Sequence, residues 1–144
     1  PLVLGGVVIP FEKGEDGHSD GDVLLHAITD ALLGAAGIGD IGEFFPPSDS
    51  RWKGADSRML LAEAWSRVKA EGWRIENIDC VIALQQPKFL PWRQAVRESI
   101  AVVLDIDVSA VFAKAKTGEG LGPVGTGEAV EVWASCLISR EARE

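Results

Sequence analysis

The sequence lacks several features on which whole classes of protein depend. No apolar run approaches the roughly 18 residues needed to cross a bilayer, so it contains no membrane span. Basic residues are outnumbered, because 14 Lys and Arg stand against 22 Asp and Glu and give a formal net charge of −8. Such a chain lacks the positive field that attracts nucleic acids and anionic membranes. We therefore expect no nucleic-acid or membrane partner, and a phosphate ligand must be held by a metal ion, loop amides or single lysines.

Cysteine is also scarce. The two residues, Cys80 and Cys136, lie in apolar strand-like runs, where a free cysteine behaves as a small hydrophobic side chain. This favours reduced core residues in a cytoplasmic protein over a disulfide bond. No basic segment followed by an apolar one precedes the first strand-like run, so no signal peptide is visible. Because the sequence starts at Pro1 rather than at Met, we expect the natural N-terminus to lie upstream.

The apolar pattern predicts one globular domain over residues 1–144. The composition, with 47% hydrophobic and 25% charged residues, is ordinary for such a domain. The periodicity predicts a strand or bent hairpin over 2–9, helices over 23–33, 57–71 and 91–104, and strands over 78–84, 111–116 and 129–138. Ser19 or Asp20 is the expected cap of the first helix, and Asp56 is the expected cap of the second.

The order of these elements, β-α-β-α-β-β, predicts a single α+β sandwich with its helices packed on one sheet. The last strand is apolar on both faces, because Trp133 and Leu137 lie opposite its main apolar face. One domain of this size has too few helices to cover both faces. We therefore expect the second face to pack on a partner subunit.

The two histidines lie close together around the start of the first predicted helix. His26 lies inside it, with Asp22 four residues before and Asp30 four residues after, so the three side chains share one face. A carboxylate that accepts a hydrogen bond from the second imidazole N–H fixes the orientation of a metal-bound histidine. The same spacing also fits an ordinary polar helix face, since one histidine does not make a metal site. His18, beside Ser19 in the preceding loop, is placed to reach a phosphate at the helix N-terminus.

Three loops carry polar groups suited to ligand binding, although each pattern alone is more often an ordinary turn. Asp40 lies between two glycines in residues 39–42, an arrangement suited to the recognition of hydroxyl groups. Lys88 ends the loop 85–88 and is available for a phosphate. Residues 116–120 offer amides, a hydroxyl, a cation and a carboxylate. The sequence contains no P-loop, dinucleotide-binding fingerprint, nucleophile elbow or CxxC motif.

These patterns occur together and in a fixed order. Residues 18–34 read HSDGDVLLHAITDALLG, followed by GDIG at 39–42, KGADSR at 53–58, QQPK at 85–88 and KTGE at 116–119. This ordered set strongly resembles the 2-C-methyl-D-erythritol 2,4-cyclodiphosphate synthase family, and the resemblance covers nearly the whole chain. The resemblance indicates that these loops act together in one site, a conclusion that none of the loops supports alone.

The resemblance implies a lyase of the non-mevalonate (MEP) route to isoprenoids and terpenoids. The family converts 4-diphosphocytidyl-2-C-methyl-D-erythritol 2-phosphate into the cyclic 2,4-diphosphate and CMP. The 2-phosphate of the substrate attacks its own β-phosphorus, so the protein positions groups and neutralises charge. The implied fold is ferredoxin-like/chorismate-mutase-like, with helices on one four-stranded mixed sheet, in a homotrimer with active sites at subunit interfaces. The alternative is a catalytically inactive trimeric metal- or nucleotide-binding protein on the same scaffold.

The resemblance also implies a role for individual residues. His18 and Thr117 are expected to be catalytic, His26 to bind one Zn²⁺ per site, and Glu119 to bind Mg²⁺ or Mn²⁺ with the diphosphate. The expected substrate-binding residues are His18, Ser19, Asp40, Ile41, Gly42, Phe45, Pro46, Pro47, Ser48, Asp49, Leu84, Gln85, Gln86, Pro87, Lys88, Phe89, Leu90, Lys116, Thr117, Gly118 and Glu119.

Within this set, Asp40 and Gly42 are expected to hold the erythritol hydroxyls. Residues 84–90 are expected to form the cytidine pocket across a subunit boundary. The family takes its other two zinc ligands from an Asp-x-His pair near the N-terminus, in residues that would precede Pro1. We therefore expect the N-terminal segment to be missing from this sequence and the zinc site to be incomplete as it stands.

Overall fold

The computed structural model describes residues 1–14 and 21–142, so the predicted site residues His18 and Ser19 lie outside the described residues. The strands are β1 (Leu2–Leu4), β2 (Val7–Ile9), β3 (Arg74–Ala83), β4 (Val111–Lys116) and β5 (Glu131–Ser139). The helices are α1 (Val23–Ala36), α2 (Ile41–Phe44), α3 (Ser57–Ala70), α4 (Arg93–Leu104) and α5 (Gly122–Gly125). Short 3-10 turns lie at Ser50–Trp52, Leu90–Trp92 and Val108–Ala110.

The described strands form two sheets. β1 and β2 make an antiparallel hairpin, while β3 is the centre of a three-stranded sheet, parallel to β4 and antiparallel to β5. The sheet is mixed, as predicted, but the expectation of four strands is wrong for the described residues. Gly5 and Gly6 have φ of 62° and 79°, a left-handed conformation that glycine adopts at little cost. The chain therefore turns back after three residues, and β1 pairs with β2 instead of joining the main sheet.

α1 and α3 follow each other before β3 begins, as the helices predicted over 23–33 and 57–71 imply, although the abbreviated order β-α-β-α-β-β left one of these helices out. α1 packs on β5 and β3, α4 packs on β4, and α3 packs against α1 and α4. The face of β3 beneath the helices buries Ile78, Cys80 and Ile82. The α+β class, with helices on one side of a mixed sheet, is thus confirmed. Within residues 1–14 and 21–142, no helix is long and apolar enough to span a membrane.

Asp22 fixes the start of α1. Its side chain is fully buried and accepts hydrogen bonds from the backbone N–H groups of Leu25 (3.0 Å), Gly5 (3.0 Å) and Gly6 (2.7 Å). The expectation of a cap at Ser19 or Asp20 is therefore wrong. Asp22 caps the helix and also binds the turn of the β1–β2 hairpin. These long-range hydrogen bonds explain why the cap is Asp22 rather than the earlier residues Ser19 or Asp20.

The cysteines are free, as predicted. Burial raises the pKa of the Cys80 thiol to about 12, so this group stays protonated and unreactive at neutral pH. Burial also raises the pKa of Cys136, whose Sγ donates to the Ala31 carbonyl at 3.4 Å. Both thiols are packed parts of the sheet.

The opposite face of the sheet has no helical layer among the described residues. Phe112, Trp133 and Leu137 lie on this face with 42%, 57% and 60% of their surface exposed. The Lys114 ammonium pairs with the Asp79 carboxylate at 2.7 Å on the same face. A polar pair thus lies beside an exposed apolar strip on the uncovered side of the sheet.

Candidate active site

The ends of β3 and β4 bring two of the predicted loops together. Because these strands are parallel, their carboxyl ends lie at the same edge of the sheet. The Leu84 N–H donates to the Lys116 carbonyl at 2.9 Å, and the Gly118 N–H donates to Gln85 Oε1 at 3.1 Å. The loop after β3 and the loop after β4 therefore form one continuous edge.

The loop after β4 presents its polar side chains outward. Glu119 has φ of 52°, and its N–H donates to Thr117 Oγ1 at 3.2 Å. Gly118 leaves no room for a side chain, because a Cβ there would lie 2.5 Å from the Gly125 nitrogen. Thr117 and Glu119 are both exposed at this turn. This geometry makes the hydroxyl and the carboxylate accessible to a ligand at the edge of the sheet.

His26 is half-buried on α1, and its Nε2 lies 2.8 Å from Ser57 Oγ. Ser57 is fully buried and is the first residue of α3, directly after its cap Asp56, which was predicted correctly. Sequence reasoning missed Ser57 as a partner of His26, because only the packing of α3 against α1 brings them together. The Ser57 hydroxyl restricts the orientation of the imidazole ring.

The two carboxylates predicted beside His26 hold backbone groups in place. Asp22 binds the hairpin turn and the start of α1, as described above. Asp30 Oδ1 accepts a hydrogen bond from the Ile41 N–H at 2.8 Å. Asp30 thereby ties α1 to the first residue of α2, which carries the loop predicted to hold the erythritol.

Two cavities meet at His26. The larger, of about 540 Å³, is bordered by His26 together with Lys13, Gln85, Gln86 and Glu128 among its lining residues. It joins the start of the predicted cytidine loop to His26 within one chain. Lys13 and Glu128 are lining residues that the sequence did not point to, since both lie in loops that only the fold brings to this cavity.

The smaller cavity, of about 190 Å³, lies on the predicted erythritol loop. The predicted residues that border it with His26 are Ile41, Gly42, Phe45 and Pro47. Trp52 also borders it and packs edge-on against Phe45, with ring centroids 4.8 Å apart. The side chains that line this cavity are mostly apolar.

Other predicted residues border neither of these two cavities; they are Asp40, Pro46, Ser48, Asp49, Leu84, Pro87, Lys88, Phe89, Leu90, Lys116, Thr117, Gly118 and Glu119. Asp40 caps α2 by accepting from the Glu43 N–H at 2.8 Å. The Arg51 guanidinium, 2.6 Å from Asp49, lowers the pKa of that carboxyl group and occupies its oxygens. Lys88 is exposed, whereas its neighbour Phe89 belongs to the core.

A zinc ion needs more ligands than the described residues provide. Residues 1–14 and 21–142 contain no group of three or more His, Cys, Asp or Glu side chains able to hold an ion. His26 supplies one imidazole, while zinc sites take three or four protein ligands. The described residues alone therefore do not complete a zinc site, although the His26 imidazole fits as one of its ligands. The single exposed carboxylate of Glu119 does fit Mg²⁺ or Mn²⁺, since such ions bind one or two carboxylates together with substrate phosphates.

The helical layer, the mixed sheet and the two cavities define a small α+β domain with a candidate ligand site around His26. The model of the YgbB family matches residues 1–139, and the chain belongs to this family. The resemblance seen in the sequence is thereby confirmed.

Named relatives agree with this assignment. The 2-C-methyl-D-erythritol 2,4-cyclodiphosphate synthase of Treponema denticola is 63% identical over 137 residues, covering 95% of this chain and 85% of that protein. The bifunctional IspDF from Campylobacter jejuni superimposes with a TM-score of 0.94 at 43% identity, over 98% of this chain and 38% of that one. A CDP-bound structure of 2C-methyl-D-erythritol-2,4-cyclodiphosphate synthase has a TM-score of 0.88 at 40% identity, over 96% and 90% of the two chains.

Proposed function

We propose that this protein converts 4-diphosphocytidyl-2-C-methyl-D-erythritol 2-phosphate into 2-C-methyl-D-erythritol 2,4-cyclodiphosphate and CMP, as a phosphorus–oxygen lyase of non-mevalonate isoprenoid biosynthesis. One observation carries the proposal: the chain is 63% identical over 137 residues to a protein named as this synthase. Within one chain, the smaller cavity places His26 beside the loop predicted to hold the erythritol. The cytidine end of the substrate is then left to the loop of a neighbouring subunit.

The reaction forms one phosphorus–oxygen bond at the β-phosphorus and breaks another. An oxygen of the substrate's 2-phosphate forms a bond to the β-phosphorus. The bond from this phosphorus to the bridging oxygen breaks, and CMP departs with the electron pair. No covalent enzyme intermediate is needed, so the protein supplies positioning and charge neutralisation.

We assign the parts of this task to particular side chains. Asp40 and Gly42 hold the erythritol hydroxyls, and Thr117 donates to the phosphoryl oxygens as their charge changes. His26 is the zinc ligand that the described residues contribute, and Glu119 binds Mg²⁺ or Mn²⁺. When bound, the ions neutralise phosphate charge. The exposed Thr117 and Glu119 at the sheet edge, and His26 between two cavities, support these assignments.

Release of CMP tests the function. We expect full-length protein, incubated with substrate, Zn²⁺ and Mg²⁺, to release CMP and the cyclic diphosphate in equal amounts, as measured by anion-exchange chromatography. A protein that binds CDP but leaves the substrate intact would instead be an inactive nucleotide-binding member of the family. CMP release no faster than without protein would therefore contradict the proposal.

We further propose a homotrimer in which the site is shared between subunits. The uncovered sheet face, with Trp133 and Leu137 more than half exposed, supports an interface between identical chains. Gln85 and Gln86 border the cavity of their own His26, whereas the exposed Lys88 does not. Lys88 is therefore the residue of the cytidine loop that we place in a neighbour's site.

Complementation between two inactive variants tests the shared site. His26→Ala and Lys88→Ala proteins should each be nearly inactive alone. If His26 and Lys88 come from different subunits, trimers refolded from an equal mixture contain sites with both residues intact. About one quarter of the sites are then intact, because each of two independent positions is intact with even odds.

The matched control pairs His26→Ala with Asp40→Ala. Asp40 caps α2, whose residues border the same chain's His26 cavity, so we place both residues on one side of the interface. This mixture should stay inactive. Mixed trimers of the His26 and Lys88 variants that show no more CMP release than their parents would contradict the shared site.

A further inference from the structure

The short helix α2 carries two residues of the smaller cavity, Ile41 and Gly42, on its first turn. It has only four residues, and a helix this short is unstable without support from the rest of the protein. Two carboxylates hold its first turn. Asp40 accepts from the Glu43 N–H at 2.8 Å, and Asp30 accepts from the Ile41 N–H at 2.8 Å. Asp40 is the cap of α2 itself, whereas Asp30 belongs to α1 and ties the two helices together.

Asp30 lies one helical turn after His26 on α1. Four residues of an α-helix span about 6 Å along its axis and bring their side chains to the same face. The imidazole of His26 borders the smaller cavity from α1, and Ile41 borders it from α2. The hydrogen bond from the Ile41 N–H to Asp30 therefore sets the distance between the imidazole and the loop predicted to hold the erythritol.

The other end of α2 is held by different contacts. A Cβ on Gly39 would lie 2.8 Å from the ring of Phe44, so this ring packs closely on the Gly39 backbone. The Arg67 guanidinium of α3 lies 5.4 Å from the centroid of the same ring, and Phe45 belongs to the core. These contacts do not involve Asp30. Loss of its carboxylate should therefore loosen the first turn of α2, which borders the cavity, and leave the rest of the helix in place.

Asp30 reaches the cavity only through the backbone. Its side chain is exposed and borders neither cavity at His26. Within the described part of the chain it has no ion-pair partner. A hydrogen bond from a backbone N–H to a carboxylate is about twice as strong as one between neutral groups. The charge of Asp30 thus strengthens its hold on Ile41.

We propose that Asp30 is a positioning residue for the erythritol end of the substrate, acting through the Ile41 N–H. This inference rests on the proposed function, because that function places the erythritol on the loop that borders the smaller cavity. A ligand that contains the erythritol should depend on Asp30. CDP contains no erythritol, so its binding should not.

Isothermal titration calorimetry with full-length protein tests this role, using CDP and 2-C-methyl-D-erythritol 2,4-cyclodiphosphate as the two ligands. We expect Asp30→Ala to raise the Kd for the cyclic diphosphate by about tenfold, the value of one hydrogen bond to a charged group. The Kd for CDP should stay within about twofold of the unmodified value, which also shows that the variant is folded. Asp30→Asn keeps an Oδ1 acceptor for the Ile41 N–H, so its Kd for the cyclic diphosphate should stay within about threefold of the unmodified value.

Asp107→Ala is the matched control. Asp107 is also exposed and accepts a backbone N–H, that of Ser109, at 2.8 Å, but it lies in the turn before β4. Its loss changes the net charge equally and should leave both Kd values unchanged. The proposal is overturned by an unchanged Kd for the cyclic diphosphate in Asp30→Ala, by an equal loss for both ligands, by an Asp30→Asn protein as weak as Asp30→Ala, or by an equal effect of Asp107→Ala. Failure of the proposed function is seen separately, as absence of CMP release by the unmodified protein.

Discussion

The His26→Ala protein is expected to lose CMP release and bound zinc together, while its fold persists. His26 borders both cavities, and the proposed function places it beside the phosphoryl group that moves. Loss of a group that stabilises transition-state charge lowers kcat by about 10²–10³-fold. Because the ring is only half-buried, its removal leaves the hydrophobic core intact. Steady-state CMP release, zinc content by atomic absorption and circular dichroism give the three readouts.

A second variant, Ser57→Ala, tests the orientation of the His26 ring separately from its presence. Ser57→Ala removes the hydroxyl that lies 2.8 Å from His26 Nε2 but keeps the ring. Loss of such an orienting partner costs about 10- to 100-fold in metal affinity or activity. We therefore expect Ser57→Ala to fall between the unmodified protein and His26→Ala. Unchanged zinc content and unchanged CMP release in His26→Ala would show that His26 is an ordinary polar residue of the helix face.

The regular elements could be predicted because their signals are local. Alternation through Ile78, Cys80 and Ile82 marked a strand buried on one face, and the structure buries these three side chains. β4 was predicted with the observed bounds, Val111–Lys116. The main sheet has three strands among the described residues rather than the predicted four, because strand partners are chosen over long distances. Gly5 and Gly6 reverse the chain, and no local pattern says whether β1 then joins the main sheet.

The site was harder to predict, because tertiary contacts assemble it. Residues 39–42, 85–88 and 116–120 each looked like an ordinary turn until the resemblance linked them. The parallel pairing of β3 with β4 is what places two of these loops at one edge. Ser57 and Lys13 escaped notice for the same reason, since each reaches His26 or its cavity from a distant part of the chain.

The Asp22→Ala protein is expected to be destabilised by about 3–5 kcal/mol, because three backbone N–H groups lose the fully buried carboxylate that accepts their hydrogen bonds. Two of these groups belong to Gly5 and Gly6 in the hairpin turn, and the third belongs to Leu25 in the first turn of α1. A single cap would cost less, so the size of the effect reports the long-range role of Asp22. Guanidinium unfolding, with the slope m compared between the proteins, measures the change in the free energy of unfolding.

Two control variants make this prediction specific to the shared carboxylate. Asp56→Ala removes the cap of α3, which accepts from the Arg58 N–H at a partly exposed site, and should cost only about 1 kcal/mol. Asp22→Asn keeps Oδ1, the acceptor for Gly5 and Leu25, but turns an N–H₂ group toward the Gly6 N–H in place of Oδ2. It should therefore fall between Asp22→Ala and the unmodified protein. If Asp22→Ala cost no more than Asp56→Ala, the carboxylate would act as an ordinary helix cap, and the bond between hairpin and helix would contribute nothing to stability.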